Sequence, residues 1–350
     1  MARHPRTEGS DHITNVRGRI GSWLTALQYP FVHQDVPCYE WLCLSGPSLT
    51  VIHGEDRVAV PCFPVVGSGS TVFTNEEISK PFIYGRIGNR TRITAADRSK
   101  WVGLPILLLN GKPSGCMIMS RQDGTYPVAV ENGGLNQAFV GVTYDNFLLF
   151  EGMKKVRYVK GREIVRVEVR TKHEPIVAPN IIVGNRDAKI LVIAHLDSLA
   201  GSPGANDNAS GVAALMEVLR SIPPNNYCAV FTCGEETGMY GAKALQREIH
   251  PNLAICLDSV GNGGLIVQAN PNVNLPINYP YTSRSDFGAY DLGVFTENGN
   301  DGILITSRSE DGYYKHAHRP TDTVGEINPG LVLQAAAVVK DIIMQNMLHY

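Results

Sequence analysis

The sequence lacks the features of several common classes of protein. None of its apolar runs approaches the roughly 18 residues of a membrane-spanning helix, and its polar beginning, MARHPRTEGSDHITN, has no apolar core of a secretory signal. Its 7 cysteines are an odd, scattered set and do not resemble a disulfide framework. A formal net charge of -2 gives no electrostatic reason to expect nucleic acid or an anionic membrane as a partner. We therefore expect a cytoplasmic protein that binds neither.

The composition is that of an ordinary globular protein. Hydrophobic residues make up 43% of the 350 residues and charged residues 18%, which argues against intrinsic disorder. A chain of this length can form one large domain, or one domain that carries a sizeable insertion.

Apolar periodicity predicts an α/β fold outside the middle of the chain. Strands that alternate with helices indicate three αβα layers around a mostly parallel sheet. In such folds ligands bind at the C-terminal ends of the strands. The predicted strands are residues 41–52 (with a turn at Gly46-Pro47), 163–170, 180–184, 189–194, 227–232 and 254–257, and the predicted helices are 12–27, 210–222, 238–250 and 329–348.

The pattern of apolar and turn-forming residues changes between residues 48 and 152. Short apolar runs alternate there with Gly, Pro, Asn and Asp, which predicts a mainly β insertion. The predicted catalytic domain is then residues 1–47 and 153–350. The insertion contains no cluster of residues with metal-ligand spacing, so we interpret it as a lid, a specificity element or an oligomerisation module, which leaves a homo-oligomer open.

Imidazoles and carboxylates follow several of the predicted strands. Because parallel strands end at one edge of a sheet, these groups are expected to converge there. They are His195 and Asp197 after the first such strand, Asp207 at the beginning of the next helix, Glu235 and Glu236 after the following strand, and Asp258 after the last, with His316 and His318 in a late loop. A mixed set of this kind suits Zn²⁺, with Mn²⁺ or Co²⁺ as possible substitutes.

Two cations about 3.5–4 Å apart would be held best by a bridging carboxylate and would activate a water for attack on a carbonyl. A short aspartate in a Gly/Ser loop fits the bridging task. One further carboxylate must stay off the metals to take and return the proton, and adjacent glutamates after a strand can divide these roles.

Five motifs together resemble the zinc-dependent exopeptidases of the aminopeptidase Y, glutamate carboxypeptidase and glutaminyl cyclase group. They are HLDS, PGANDNASG, GEETGMYG, LDSVGNG and HRPTDT, and the resemblance extends from about Ile164 to the end of the chain. It implies a zinc-peptidase/phosphorylase-like fold with two Zn²⁺ per chain. The resemblance implies that His195 and Asp258 bind the first zinc and that Glu236 and His318 bind the second. It implies Asp207 as the ligand that bridges the two ions. Glu235 is implied as the general base, and Asp197 as the residue that orients His195. A cis peptide bond between Asp207 and Asn208 is also implied.

The substrate side of the site is less marked in the sequence. The stretch SDFGAYDLGV resembles the family segment near the substrate pocket, with Phe287 where a histidine is common. Asp286 in this stretch and Tyr314 (with Tyr313 as an alternative) are predicted to contact the substrate. His318 is preferred over His316 as the ligand because of its spacing to Pro320, Asp322 and Thr323.

The resulting hypothesis is a di-zinc aminopeptidase with Glu235 as general base. The alternatives are an amidohydrolase or deacylase of a small peptide-like metabolite, and a carboxypeptidase, in which Arg284 or Arg308 would hold a substrate carboxylate. A glutaminyl-cyclase-like transferase with one zinc and a catalytically dead scaffold are further alternatives. The expected partner is a peptide or amide small molecule.

Overall fold

A computed structural model of the chain describes residues 1–53, 56–64, 71–74, 101–105, 108–109, 112–113, 116–121, 138–141, 163–271, 273, 279–309 and 316–346. The chain divides into two compact units, Met1–Glu40 with Pro175–Tyr350, and Trp41–Glu174. The first unit contains the predicted site residues.

The first unit contains five α-helices among its described residues. They are α1 (Asp11–Ala26), α2 (Gly211–Ser221), α3 (Tyr240–Gln246), α4 (Asp291–Thr296) and α5 (Pro329–Asn346). Helix α1 begins where the Ser10 side chain accepts a hydrogen bond from the Ile13 amide at 3.3 Å. Its buried residues Ile13, Val16, Ile20 and Leu24 recur at helical spacing, which fixes the face turned to the core. No helix in the described ranges is both long and apolar enough to cross a membrane.

The described residues form sixteen strands. They are β1 (Phe31–His53), β2 (Asp56–Ala59), β3 (Phe63–Pro64), β4 (Thr71–Thr74), β5 (Trp101–Pro105), β6 (Leu108–Leu109), β7 (Lys112–Pro113), β8 (Cys116–Arg121), β9 (Ala138–Gly141), β10 (Glu163–Gly184), β11 (Ile190–His195), β12 (Cys228–Thr232), β13 (Leu253–Leu257), β14 (Gly264–Ala269), β15 (Tyr281–Ser283) and β16 (Asp301–Arg308).

The sheet of the first unit has the strand order β15-β14-β16-β13-β11-β12-β10-β1. Its four central strands, β16, β13, β11 and β12, are parallel. Strands β14 and β10 flank them in antiparallel pairing. The predicted α/β fold is therefore confirmed, with the parallel part at the centre of the sheet.

Helices cover both faces of this sheet. Strand β11 is buried along its whole length, and its side chains alternate between two hydrophobic clusters, as the two-residue period of a strand requires. Val192 packs in one cluster with α1, α2 and α5, and Ile193 packs in the other with α3 and α4. The three predicted layers are thus present, and the continuous apolar run of β11 is explained by burial on both faces.

The regular elements that the structure describes in the second unit are all strands. Strands β3, β9, β8 and β5 form one sheet, and β6 pairs with β7. The far end of β1 pairs with β2, and β4 pairs with the beginning of β10, both antiparallel.

Several predicted boundaries were wrong. The turn at Gly46-Pro47 is absent, because β1 continues through it; the fixed φ of proline is compatible with extended backbone. The predicted strands 163–170 and 180–184 are parts of one strand, β10. Helix α3 begins only at Tyr240, after Gly238 and Met239 adopt positive φ angles of 140° and 56°. Strands β14, β15 and β16 and helix α4 were not predicted.

Candidate metal centre

Three neighbouring parallel strands deliver the predicted site residues to one edge of the sheet. His195 is the last residue of β11, and Asp258 follows β13 directly. Glu235 and Glu236 lie three and four residues beyond Thr232, where β12 ends. Strand β11 lies between β12 and β13 in the sheet, so its histidine occupies the middle of the group.

Asp207 lies between the two histidines and offers one carboxylate oxygen to each. Its Oδ1 is 3.2 Å from His195 Nε2, and its Oδ2 is 3.2 Å from His318 Nε2. Asp258 Oδ2 lies 3.4 Å from His195 Nε2, and Glu236 Oε2 lies 3.1 Å from His318 Nε2. These residues form two groups, each able to hold a metal ion: His195, Asp207 and Asp258, and Asp207, Glu236 and His318, with ligand atoms within 4.8 Å of one another in each.

The residues of these groups fit a divalent metal such as zinc. His195 Nε2 is buried, and no described residue forms a hydrogen bond with it, although carboxylate oxygens surround it. The buried atom therefore lacks a partner that a cation would supply. The donor set is imidazole nitrogen and carboxylate oxygen, which zinc prefers in catalytic sites. The carboxylates outnumber the two histidines, so two dications would also neutralise a buried excess of negative charge.

Asp197 contacts residues of the site but belongs to neither ligand group. Its backbone oxygen is 3.2 Å from His195 Nδ1, and its carboxylate Oδ1 is 3.6 Å from the same nitrogen. The carboxylate also accepts hydrogen bonds from the backbone amides of Glu235 and Glu236, both at 3.1 Å. Asp197 thus contacts the first histidine, as predicted, and in addition fixes the turn that carries both glutamates.

Glu235 belongs to neither ligand group. Its Oε2 lies 3.9 Å from His195 Nε2, beside the group and not within it. Burial raises the pKa of Glu235 well above its usual range, and the neighbouring carboxylates Glu236 and Asp258 raise it further, while His195 opposes them. A carboxylate adjacent to the ligand atoms but outside both groups has the position that a proton-transfer group requires.

The loop that carries Asp207 is fixed by side chains with no ligand role. Asp322 is buried and accepts hydrogen bonds from the amides of Asn206 and Asp207 at 2.7 and 3.1 Å. Asn208 donates from its side chain to the Leu257 carbonyl oxygen at 2.8 Å, next to Asp258. The peptide bond between Asp207 and Asn208 is cis, as the resemblance implies.

The two histidines of the late loop have different surroundings. His316 Nδ1 lies 2.9 Å from Thr321 Oγ1, and its Nε2 lies 3.2 Å from Glu326 Oε2. His318 instead contacts the ligand carboxylates, as described above. Both histidines adopt positive φ angles, 72° and 56°. The structure therefore places the preferred histidine, and not its neighbour, at the ligand groups.

Of the predicted substrate residues, the structure describes only Asp286. Asp286 is exposed, and its Oδ1 accepts a hydrogen bond from the Gly288 amide at 2.9 Å. Tyr313 and Tyr314 lie outside the described residues, so their predicted contact stays a prediction. The Arg284 guanidinium lies over the rings of Phe287 and Tyr290, at 5.4 and 5.2 Å from their centroids. That stacking gives Arg284 a structural role.

Sequence reasoning missed two buried carboxyl groups next to the site. Asp322 entered only as part of a motif, although it contacts the Asp207 loop directly. Asp291, at the beginning of α4, accepts a hydrogen bond from the Thr232 hydroxyl at the end of β12. Burial raises the pKa of Asp291 to about 7. Neither residue follows a predicted strand, so the signal that located the other carboxylates was absent.

Comparison with known proteins agrees with this geometry. Residues 179–268 match Peptidase family M28. The chain is 26% identical over 300 residues to Aminopeptidase YwaD of Bacillus subtilis, an alignment that covers 77% of this chain and 54% of that protein. It is 35% identical over 86 residues to a vacuolar membrane protease of Botryotinia fuckeliana, covering 21% of this chain and 8% of that protein.

The fold is also that of a solved structure. A zinc aminopeptidase from Bacillus subtilis superposes with a TM-score of 0.67 at 16% sequence identity, covering 97% of this chain and 90% of that one. The chain spans about half or less of the curated relatives named above, with 54% and 8% of their lengths matched. The matched segment includes Glu235 and every residue of the two ligand groups except His318, so the part of the chain that supplies most of the site is similar to Peptidase family M28.

Proposed function

We propose that the chain is a zinc-dependent aminopeptidase with two metal ions per chain. The observation that carries the proposal is the pair of ligand groups joined by Asp207, one carboxylate oxygen toward each histidine. His195 and Asp258 would complete the first zinc site, and Glu236 and His318 the second. Mn²⁺ or Co²⁺ could substitute, because both accept the same nitrogen and oxygen donors.

Bound zinc supplies Lewis-acid chemistry, which polarises a carbonyl and lowers the pKa of a water. The residues of the chain perform the remaining tasks. Glu235 Oε2, adjacent to the ligand groups, would accept the proton of the attacking water and return it to the leaving amine. Asp197 would keep Glu235 in place through the amide hydrogen bond at 3.1 Å.

The aminopeptidase specificity rests on the relatives, two of which carry the names aminopeptidase and zinc aminopeptidase. A matched set of amides tests it. The first substrate is an aminoacyl anilide with a free α-amine, the second is its N-acetylated form, and the third is a peptide with a free carboxylate and a blocked amine. We expect turnover of the first alone. Turnover of only the second would indicate a deacylase, turnover of only the third a carboxypeptidase, and either result would contradict the proposal.

The late loop offers a matched pair of variants. We expect His318→Ala to lose one zinc per chain and His316→Ala to retain both, because only His318 Nε2 lies near Asp207 and Glu236. Inductively coupled plasma mass spectrometry of the dialysed proteins measures the difference. The assignment would be wrong if His316→Ala lost the metal and His318→Ala kept it.

A further inference from the structure

We infer that the segment Arg6-Thr7-Glu8, which we call the N-terminal brace, positions the metal centre by holding two loops. One loop connects its first histidine to its bridging aspartate, and the other carries its two glutamates. The inference rests on the proposed metal centre. The hydrogen bonds that join the brace to the two loops end on backbone atoms and on the Ser198 hydroxyl, and not on ligand atoms, so its residues are positioning residues.

Arg6 holds the loop between His195 and Asp207. The side chain is 1% exposed, and its guanidinium donates three hydrogen bonds to carbonyl oxygens of that loop. The acceptors are Leu196 at 2.7 Å, Pro203 at 2.8 Å and Gly204 at 2.9 Å. Leu196 follows His195 directly, and Gly204 lies three residues before Asp207. One planar group therefore fixes both ends of the loop that connects the two ligands.

The backbone of Arg6 adds two contacts to the same loop. Its amide donates to Ser198 Oγ at 2.8 Å, and its carbonyl oxygen accepts from the Ser198 amide at 3.2 Å. Gly204 adopts φ 64°, and a Cβ there would lie 3.0 Å from Arg6 Nη2. The loop and the guanidinium are therefore fitted closely to each other, and a side chain at Gly204 would disturb both.

Glu8 holds the second loop. It is 3% exposed, and its Oε1 accepts a hydrogen bond from the Gly234 amide at 3.1 Å, directly before Glu235 and Glu236. Arg17 of α1 neutralises its charge at 2.6 Å. The turn with the two glutamates is thus held at Gly234 by Glu8 and at its next two amides by Asp197.

The brace is itself anchored. The Thr7 carbonyl oxygen accepts hydrogen bonds from the amide and the hydroxyl of Ser10, at 3.1 and 2.7 Å. Ser10 caps α1, whose apolar face is part of the main core. The brace therefore connects α1 to both loops, and such support is what a metal centre needs for fixed ligand geometry.

The substitution Arg6→Lys tests the brace, with Arg3→Lys as the matched control. Lysine keeps the charge but cannot donate in three fixed directions, and Arg3 is exposed. Zinc affinity is measured by competition with a chelator, and the melting temperature with and without zinc. We expect Arg6→Lys to weaken zinc binding about 10-fold to 100-fold, as loss of support for metal ligands does, and to shrink the zinc-induced rise in Tm. Arg3→Lys should change neither.

Two outcomes would overturn the inference. The first is a zinc affinity of Arg6→Lys equal to that of the wild type, including the case in which Tm falls equally with and without zinc, because the role would then be structural only. The second is a wild type that binds no zinc, which would also remove the proposed function; this control separates the two failures. If Arg6→Lys does not fold without zinc, the variant Arg6→Gly is measured with added guanidinium ion and with urea at the same concentration. A zinc affinity that rises with guanidinium but not with urea supports the brace. A zinc affinity that is independent of guanidinium contradicts it.

Discussion

Replacing Glu235 by glutamine will lower kcat about 100-fold to 10,000-fold, the range typical of a lost general base, and leave the zinc content unchanged. Glutamine has the shape of glutamate but cannot accept the proton of water. Metal retention is expected because Glu235 belongs to neither ligand group and lies beside them, with its Oε2 3.9 Å from His195 Nε2. The measurement is steady-state hydrolysis of an aminoacyl anilide, together with metal analysis of the same sample.

A neutral variant of an exposed glutamate, Glu297→Gln, is the control and should keep wild-type kcat. Two results would contradict the assignment of Glu235. One is wild-type kcat in Glu235→Gln. The other is loss of zinc from that variant in proportion to its loss of activity, because Glu235 would then be a ligand and not a base.

Replacing Asp207 by alanine will remove both metal ions, whereas Asp258→Ala will remove one. Asp207 has one oxygen near each histidine and belongs to both ligand groups, while Asp258 belongs to only one. Loss of the shared carboxylate also leaves each group with two of its three members. We expect kcat of Asp207→Ala to fall at least about 1,000-fold, because the Lewis acid and the activated water are lost together.

The pair of aspartate variants is compared by zinc per chain after dialysis against the same buffer. Circular dichroism of both variants checks that the sheet is intact. A single zinc retained by Asp207→Ala at full occupancy would show that the two groups do not depend on one bridging residue. Equal loss of zinc from the two variants would show that Asp207 and Asp258 do not differ in the number of metal ions that depend on them.

The sequence alone was sufficient to predict those residues and elements for which the local apolar pattern and the sheet topology agree. His195, Glu236 and Asp258 follow short, apolar runs, and parallel strands end at a common edge, so the sequence predicts their convergence. The same reasoning gave the helices α1, α2 and α5 to within a few residues, because each has a continuous apolar face.

The remaining features depend on contacts that no local pattern records. Arg6 meets its acceptors across about 190 residues of chain, the separation of Arg6 from Leu196, and its neighbourhood in the sequence is polar and unremarkable. Positive φ at His316 and His318 is uncommon for residues other than glycine, and nothing in KHAHRPTDT signals it. Strand β16 was missed because the apolar run within it is short.

Three expectations about the whole protein also stay predictions. They are the cytoplasmic location, the homo-oligomer, and the role of the mainly β insertion as a lid, specificity or oligomerisation element. The proposed metal centre takes no ligand from the insertion, because all the proposed ligands and the proposed base lie in the first unit.

The number of zinc ions bound per folded chain tests the central proposal most directly. Purified wild-type protein, stripped with a chelator, reloaded with zinc and freed of excess metal, is measured by mass spectrometry of the intact native chain. The ligand groups joined by Asp207 predict two zinc ions per chain. One zinc per chain at saturation, or none, would contradict the paired site, and one would favour the single-zinc, cyclase-like alternative.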